Sequence, residues 1–580
     1  MIITSATSPA HQCRFREFGF GAISVTGALL SASGTAYAQV APAPPPQAVQ
    51  PSAGEISRER LTLPPVRTPK FELRIQSTDK SAVPKSIEGV QFMLRDVQVE
   101  GATAFSADIV NGLFADIKGK RVGLAAVREA AGKLEGLYRE KGFFLTRVFI
   151  PPQPIANGVV KVTVIEGFIE DITVEGLDPA TQRSVRAALA PLLEHKPIDL
   201  PSLERRLLIL NDMPGIGGTS VLRQGATLGG SSLIVTLEER PDTFVASINN
   251  GASRILGPWS YGLNATFNRP LDLPGSLNIG VNAGGRNLTG VQSVSGRYLM
   301  PIGNQGLLAS VGVLAAKARP GGSVRALGIV NNLITASVRA RYPFIRSRAF
   351  SLFGEVGFTV NRSDTDILGL PLIRDRTTVV DLGLSAQQTG FLDGSTTVNL
   401  NVHQGLQILG GLNGNAPAPS TMNFDPSFTR LVYAVQRTQP LVGKLSAQLA
   451  FQGQYTNSKL LSGELVSFGG SGIGRGFDPA AITGDRGYGG SLELRYDIPF
   501  SNTIVRNAQI YGFVDGARTT SLRTATLPSV SQDLQSAGGG VRLSHRYGFV
   551  DFQGAYARRA LGGADQRPNP RALISATFIY

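Results

Sequence analysis

The stretch Ile334-Thr335-Ala336-Ser337-Val338-Arg339-Ala340-Arg341-Tyr342 decides the fold. Successive side chains of a strand point to opposite faces. Its aliphatic and aromatic residues therefore share one face, and Thr335, Ser337, Arg339 and Arg341 share the other. The pattern recurs where Leu492, Leu494, Tyr496 and Ile498 alternate with Ser491, Glu493, Arg495 and Asp497. It recurs again where Leu445, Leu449 and Phe451 alternate with Ser446, Gln448 and Gln452. A soluble β-sandwich also alternates, but it turns its charged face to water. A membrane barrel turns the aliphatic face to lipid and the polar face to its lumen.

From Pro241 onward the chain consists of such segments, punctuated by Gly, Asn and Pro, with no convincing helix. Counting gives eleven segments before Leu461 and five after Gly487, hence about 16 antiparallel strands, with roughly 21 residues for each strand and its connection. Residues 241–580 are therefore expected to form an all-β transmembrane barrel. The aromatic content of 7% is thin for the interfacial girdles of such a barrel. The final strand, Arg571–Tyr580, places Ala572, Ile574, Ala576, Phe578 and Tyr580 on one face.

The N-terminus agrees with an exported chain. Arg14 and Arg16 precede a small and apolar run from Phe18 to Leu30, and Ala36-Tyr37-Ala38 has the small-x-small pattern of a signal-peptidase site. Residues 1–38 are read as a signal peptide, with the mature chain beginning at Gln39. No other stretch reaches the roughly 18–20 continuous apolar residues of a membrane helix.

Among the 580 residues, 68 are Gly and 17% are charged, with one Cys, one Trp and four His. One thiol excludes a disulfide framework and thiolate metal clusters. His11, His195, His403 and His545 are too far apart in sequence to suggest a metal site. The net charge of +14 comes from basic residues scattered singly, which argues against a nucleic-acid partner.

Residues 39–90 carry eight prolines between Pro42 and Pro69 and read as a linker. Gly54–Leu61 allows two helical turns, a length that needs a docking surface to hold it.

Residues 91–240 are mixed α/β and repeat. Asp96-Val97-Gln98-Val99-Glu100-Gly101 returns as Asp171-Ile172-Thr173-Val174-Glu175-Gly176. In the first unit, 91–167, Ser106 is expected to cap a helix through Leu113. A longer helix over Val122–Glu140 follows, then a hairpin of Phe143–Phe149 and Val159–Ile165. In the second unit, 168–240, helices are expected at Ala180–Leu193 and Leu203–Asn211, with strands around Val221–Leu222 and Ser232–Leu237. Two β-α-α-β-β modules fit this order.

That order resembles polypeptide-transport-associated (POTRA) domains. The run Tyr138-Arg139-Glu140-Lys141-Gly142-Phe143-Phe144-Leu145-Thr146-Arg147-Val148-Phe149-Ile150, with Pro151-Pro152-Gln153, Gly158 and Ile165-Glu166-Gly167 after it, is similar to their two-partner secretion form. The resemblance implies a sheet edge that takes an extended client by strand addition.

Phe468-Gly469-Gly470, Gly474-Arg475-Gly476-Phe477 and Gly484-Asp485-Arg486-Gly487 lie between the two groups of strands. They resemble the sixth extracellular loop of the Omp85 superfamily, whose arginine tip folds back into the barrel. The sequence departs from that pattern at Gly474, where the superfamily has an aliphatic residue. Gly512-Phe513-Val514-Asp515-Gly516 resembles a second motif of the superfamily, and alternation puts Asp515 on the same face as Gln509. The resemblance implies that Arg475 bridges Asp515, with Glu493 as a rival partner. Arginine suits such a bridge because its planar fork holds a carboxylate through two bonds. In a wet lumen the expected strength is about 1–3 kcal/mol. Taken alone, Arg475 among glycines reads as an exposed loop residue; both motifs in order favour the latch.

Enzyme signatures are missing. Gly472-x-Gly474-x-Gly476 has no helix after it, Gly132-Lys133 and Gly443-Lys444 are each followed by Leu, and Ser471 lacks a nucleophile elbow. Lumen carboxylates read as a solvated pore face. No catalytic site, metal or cofactor is expected.

Taken together, the modules, barrel and motifs resemble the two-partner secretion transporters (TpsB) of the ShlB, FhaC and HecB type, within the Omp85 superfamily. The resemblance implies an outer-membrane pore of a Gram-negative bacterium with its POTRA domains in the periplasm. Their partner would be the N-terminal secretion domain of a TpsA-type exoprotein of haemolysin or adhesin type. It further implies a plug role for Gly54–Leu61, lipid around the barrel, and assembly machinery that reads Phe578 and Tyr580. An Omp85-type insertase and a passive porin remain as alternatives.

Overall fold

The computed structural model describes residues 91–155, 157–413, 418–500, 505–524, 527–561 and 570–580, preceded by the short strand Leu73–Ile75. The signal-peptide reading of 1–38, most of the linker and the segment Gly54–Leu61 lie outside the described residues. Two compact units divide at Arg240 and Pro241.

In the first module Asp96–Glu100 lies parallel to Val159–Ile165, and Arg147–Phe149 pairs antiparallel on its other side. Helix Leu124–Glu140 covers this sheet because Val127, Ala131, Leu134 and Tyr138 recur at helical spacing. They are buried against Val97, Val160, Val162 and Val164. Three details differ from the sequence reading. The short helix Ala107–Gly112 starts at Ser106, but the serine side chain makes no capping bond. The long helix starts at Leu124 because Arg121–Gly123 pairs with Gln91–Met93 instead. The hairpin's first strand shrinks to Arg147–Phe149 because Phe143–Thr146 is bonded in tight turns.

In the second module Phe168–Glu175, Gly230–Glu239 and Ile216–Gln224 form the sheet. Asp178 caps helix Pro179–Leu189, accepting from the amides of Ala180 and Thr181 at 3.0 and 2.9 Å. Asp199 does the same for Leu200–Asp212 through Ser202 at 2.7 Å. The single helix expected over Ala180–Leu193 is broken at Pro191, which lacks an amide donor and instead opens a new turn, Pro191–Glu194. A fourth strand comes from outside the module: Leu73–Ile75 pairs parallel with Ser220–Leu222.

The modules are joined tightly. Phe144 and Leu145 of the first pack against the buried core of the second. Leu200 donates to the Gly142 carbonyl at 2.8 Å and Ile198 to that of Gly167 at 2.9 Å. Glu166 braces the end of the first module from within. Its carboxylate accepts from the amides of Thr103 and Ala104 and from the Tyr138 hydroxyl, the last at 2.5 Å.

From Thr243 on, 16 antiparallel strands form a closed barrel, eleven before residue 461 and five after it. Closure gives every strand a neighbour on each side. Along Val330–Arg346, Ile334 and Val338 are 53% and 52% exposed on the outside while Thr335 is fully buried inside. Leu449, Phe451, Leu492, Leu494, Tyr496, Ile510 and Val514 extend the outward apolar belt. Such a belt is costly in water and satisfied in lipid. No helix among the described residues is long and apolar enough to cross a membrane.

Candidate functional site

Between the eleventh strand, Leu445–Thr456, and the twelfth, Arg486–Pro499, the chain turns back onto the wall of the barrel. Phe468, Ile473, Phe477, Ala481 and Ile482 pack on Ala517, Leu534 and Ala557 in one apolar cluster. Glycines permit this approach. Gly474 adopts φ +94°, the left-handed region that disfavours the aliphatic residue of the superfamily pattern. A Cβ on Gly476 would lie 2.7 Å from the backbone of Tyr556 and Ala557.

The tip places Arg475 in a buried cluster. Its Nε and Nη2 donate to the two Asp515 oxygens at 3.0 and 2.9 Å, while its backbone N–H adds a third bond at 3.1 Å. Nη1 donates to Glu493 at 2.6 Å and Nη2 to Ser491 at 2.8 Å. Asp515 and Glu493 are thus simultaneous partners, where the sequence reading set them as rivals. The guanidinium lies 3.4 Å from the centroid of the Phe513 ring. Arg475 is 5% exposed, so this part of the lumen is dry.

Sequence reasoning missed the rest of the network. Arg495 and Arg542 each donate to Glu493 at 2.7 Å, and Arg542 also reaches Asp551 at 3.2 Å. Three guanidiniums therefore meet three carboxylates, Glu493, Asp515 and Asp551. Arg542 stacks on Tyr511 as Arg475 does on Phe513. Both rings lie across glycines of the next strand, since Phe513 pairs with Gly538 and Tyr511 with Gly540. A Cβ at either glycine would collide with its ring, at 2.6 Å in each case. That register was the available signal: Tyr511-x-Phe513 set against Gly538-Gly539-Gly540. Gly512 and Gly516 stand apart from the network. A side chain at either would meet nothing nearer than 3.8 Å.

The base of the loop is held separately. Asp485, fully buried, accepts from the Leu460 and Leu522 amides at 2.8 and 2.7 Å and from Lys459 at 2.8 Å. Arg430 pairs with Glu464 at 2.8 Å, and Gln454 donates to the carbonyls of Glu464 and Asp485 at 2.9 Å each. Arg430 and Glu464 carry no sequence signal, because nothing in their spacing brings them together.

On another stretch of wall Arg339 lies 3.2 Å from both Glu355 and Asp381, and His403 bonds Asp381. Glu355, Asp381, Glu493 and Asp515 are thus paired acids, where the sequence reading expected a solvated pore face. Among the described residues no group of three or more His, Cys, Asp or Glu could hold a metal ion.

Comparison with known proteins places the chain. The family model for haemolysin secretion/activation protein ShlB/FhaC/HecB matches residues 229–543, and that for the ShlB-type POTRA domain matches 92–167. The chain is 22% identical to the heme/hemopexin transporter protein HuxB of Haemophilus influenzae, over 85% of this chain and 89% of that protein. It is 24% identical to the outer membrane transporter CdiB-2 of Burkholderia pseudomallei, over 89% and 87%. The solved structure of CdiB from Escherichia coli superposes with a TM-score of 0.69 at 19% identity, covering 87% of this chain and 93% of that one. The first family model spans more than half of the chain, which thus belongs to the ShlB/FhaC/HecB haemolysin secretion/activation family: it is an outer-membrane protein of two-partner secretion.

Proposed function

We propose that residues 91–240 capture the N-terminal secretion domain of one large exoprotein, of haemolysin or adhesin type. The partner then crosses the 241–580 barrel unfolded and folds outside, without ATP. Arg475, Gly476, Phe477, Asp515 and Glu493 act as the latch that holds the loop back against the wall until the partner enters. The observation that carries this reading is the tip itself. It is held by ions and close glycine contacts, with no covalent tie, inside a barrel preceded by two joined POTRA-type modules. Phe468, Gly469 and Gly470 shape the loop's entry to that tip.

The second module supports capture by strand addition. The outer side of Ile216–Gln224 already accepts an extended segment of this chain, Leu73–Ile75, in parallel register. Phe578 and Tyr580 are 54% and 88% exposed, which suits the reading of the last strand by assembly machinery.

The experiment is comparative proteomics of culture supernatant and outer membrane, with the gene deleted and then restored as wild type or Arg475→Ala. Loss of one or a few large exported proteins from the supernatant, restored by wild type and poorly by Arg475→Ala, is the expected result. An unchanged supernatant with many barrel proteins lost from the outer membrane would favour an insertase. No change in either would favour a passive porin.

A further inference from the structure

The barrel closes between its first strand, Thr243–Asn249, and its last, Arg571–Ile579, and this seam has the shortest ladder of any neighbouring pair. Only Val245–Asn249 and Ser575–Ile579 are in register, with Phe244 and Tyr580 exchanging two backbone bonds of 2.8 Å at the inner end. The last strand runs further outward than the first. Its overhang, Arg571 to Ile574, still pairs with the fifteenth strand, Gly548–Leu561, on one side. Among the described residues no strand pairs with its other side.

Side chains take over there. The Asn250 amide group donates to the Ala572 carbonyl at 3.0 Å and accepts from the Ile574 amide at 2.8 Å, standing in for a strand backbone. One step further out, Arg571 donates to the Phe477 carbonyl and lies 3.4 Å from Asp478. Both partners belong to the loop tip that carries Arg475. Asp478 also lies 3.9 Å from Arg254, in the loop that follows the first strand. One carboxylate of the loop tip therefore stands between an arginine from each side of the seam.

We propose that the loop tip pins the outer end of the seam through Asp478 and Arg571, so that release of Arg475 also frees the outer end of the last strand. The buried Arg571 arm does most of the pinning. The Arg254 arm is exposed and long, and contributes little. Tip and seam then form one mechanical unit: while the tip is seated the barrel is closed along its full height, and when it leaves, the overhang keeps only Asn250 on its open side. Asp478 and Arg571 act here as positioning residues. The inference needs no partner and is independent of what the barrel secretes.

The test is backbone amide hydrogen exchange on the full-length protein in lipid nanodiscs, read at residues 571–574 and at the tip, 472–477. Asn250→Ala is the control that these amides report the seam, and raises exchange at 571–574 alone. Arg475→Ala is expected to raise exchange about tenfold or more at both segments, and Asp478→Asn is expected to raise it at 571–574. Arg571→Gln repeats the test from the strand side. Should it fail to assemble, Asp478→Asn decides, since that side chain is partly exposed and carries no packing load. A rise at the tip in Arg475→Ala with 571–574 unchanged would overturn the proposal, as would an unchanged 571–574 in Asp478→Asn.

Discussion

Two carboxylate hubs hold this molecule, one half-buried and one buried, and they are built differently. Glu166, at the end of the first module, is satisfied by two amides and by hydroxyls of Tyr138 and Thr103, while Phe144 and Leu145 of the same module pack against the core of the second. Asp515, in the barrel, is satisfied largely by one loop arginine, and Arg475 in turn serves Glu493. Apolar packing makes a permanent joint, because opening it exposes core, and neutral donors keep Glu166 satisfied within its own module. Ions set among glycines and flat rings make a contact that leaves one of its two acids still paired when it opens. Once Arg475 leaves, Glu493 still has Arg495 and Arg542. Those spare cations ease release on the Glu493 side, while Asp515 holds the contact shut.

The largest expected effect breaks the barrel hub. Arg475→Ala leaves Asp515 buried with no cation within bonding distance, and removing one partner of a buried pair costs about 3–5 kcal/mol. That exceeds the strength expected for a wet lumen, because the site is dry. The loop tip should exchange amide hydrogen freely, while the modules stay unchanged. Arg475→Lys sharpens the comparison. A point charge cannot serve Asp515 and Glu493 together, so exchange should fall between wild type and alanine.

Next in size is the first module. Glu166→Gln keeps the shape but removes the charge that the Thr103 and Ala104 amides and the Tyr138 hydroxyl point at, for a loss of about 1–3 kcal/mol. Chemical denaturation followed by exchange within 91–240 measures it, and the barrel should not respond. Acidity probes the same group. Burial alone would raise the Glu166 pKa, but the Thr103 and Tyr138 hydroxyls and the two amides outweigh it and hold the carboxyl below its usual value. Burial, with the Glu166 bond and charge, pushes the Tyr138 phenol up. A depressed carboxyl pKa contributes stability that is full above the unfolded value, about 4.3, and is lost as pH falls through the folded value. The modules should therefore lose stability below about pH 4, and Glu166→Gln should flatten that slope. An equal slope in the variant would remove Glu166 as the cause.

How much of this was legible in the sequence depends on what kind of contact carried it. Alternation along Ile334–Tyr342 and Ser491–Ile498 gave the barrel, because a strand's two faces are written in consecutive residues. The pairing of Tyr138 with Glu166 lay inside motifs that could be quoted, yet their contact spans 28 residues and was invisible. Arg542, Arg430 and Glu464 were missed for the same reason: a closed barrel sets partners by register, and register depends on every loop length between them. Pro191 was the one local signal that was passed over, since a proline inside an apolar helical run opens a new turn as readily as it ends one.

The smallest expected effect concerns residues that belong to a motif but not to the hub. Gly512 and Gly516 flank Phe513 and Asp515 in sequence, yet alternation turns them outward, away from Arg475 and Tyr511. A methyl group at Gly512 would find its nearest neighbour, the Gly538 carbonyl, 3.9 Å away, which is ordinary contact. Gly512→Ala should therefore change stability by no more than about 0.5 kcal/mol and leave exchange at the loop tip as in wild type. Gly538→Ala is the paired substitution one strand over. There a methyl group meets the Gly554 carbonyl at 2.1 Å as well as the Phe513 ring at 2.6 Å, so it strains the strand and lifts the surface on which Arg475 lies. If the two alanine variants behaved alike, the hub would owe nothing to the flat aromatic floor, and the difference between the ionic latch and the packed joint would rest on charge alone.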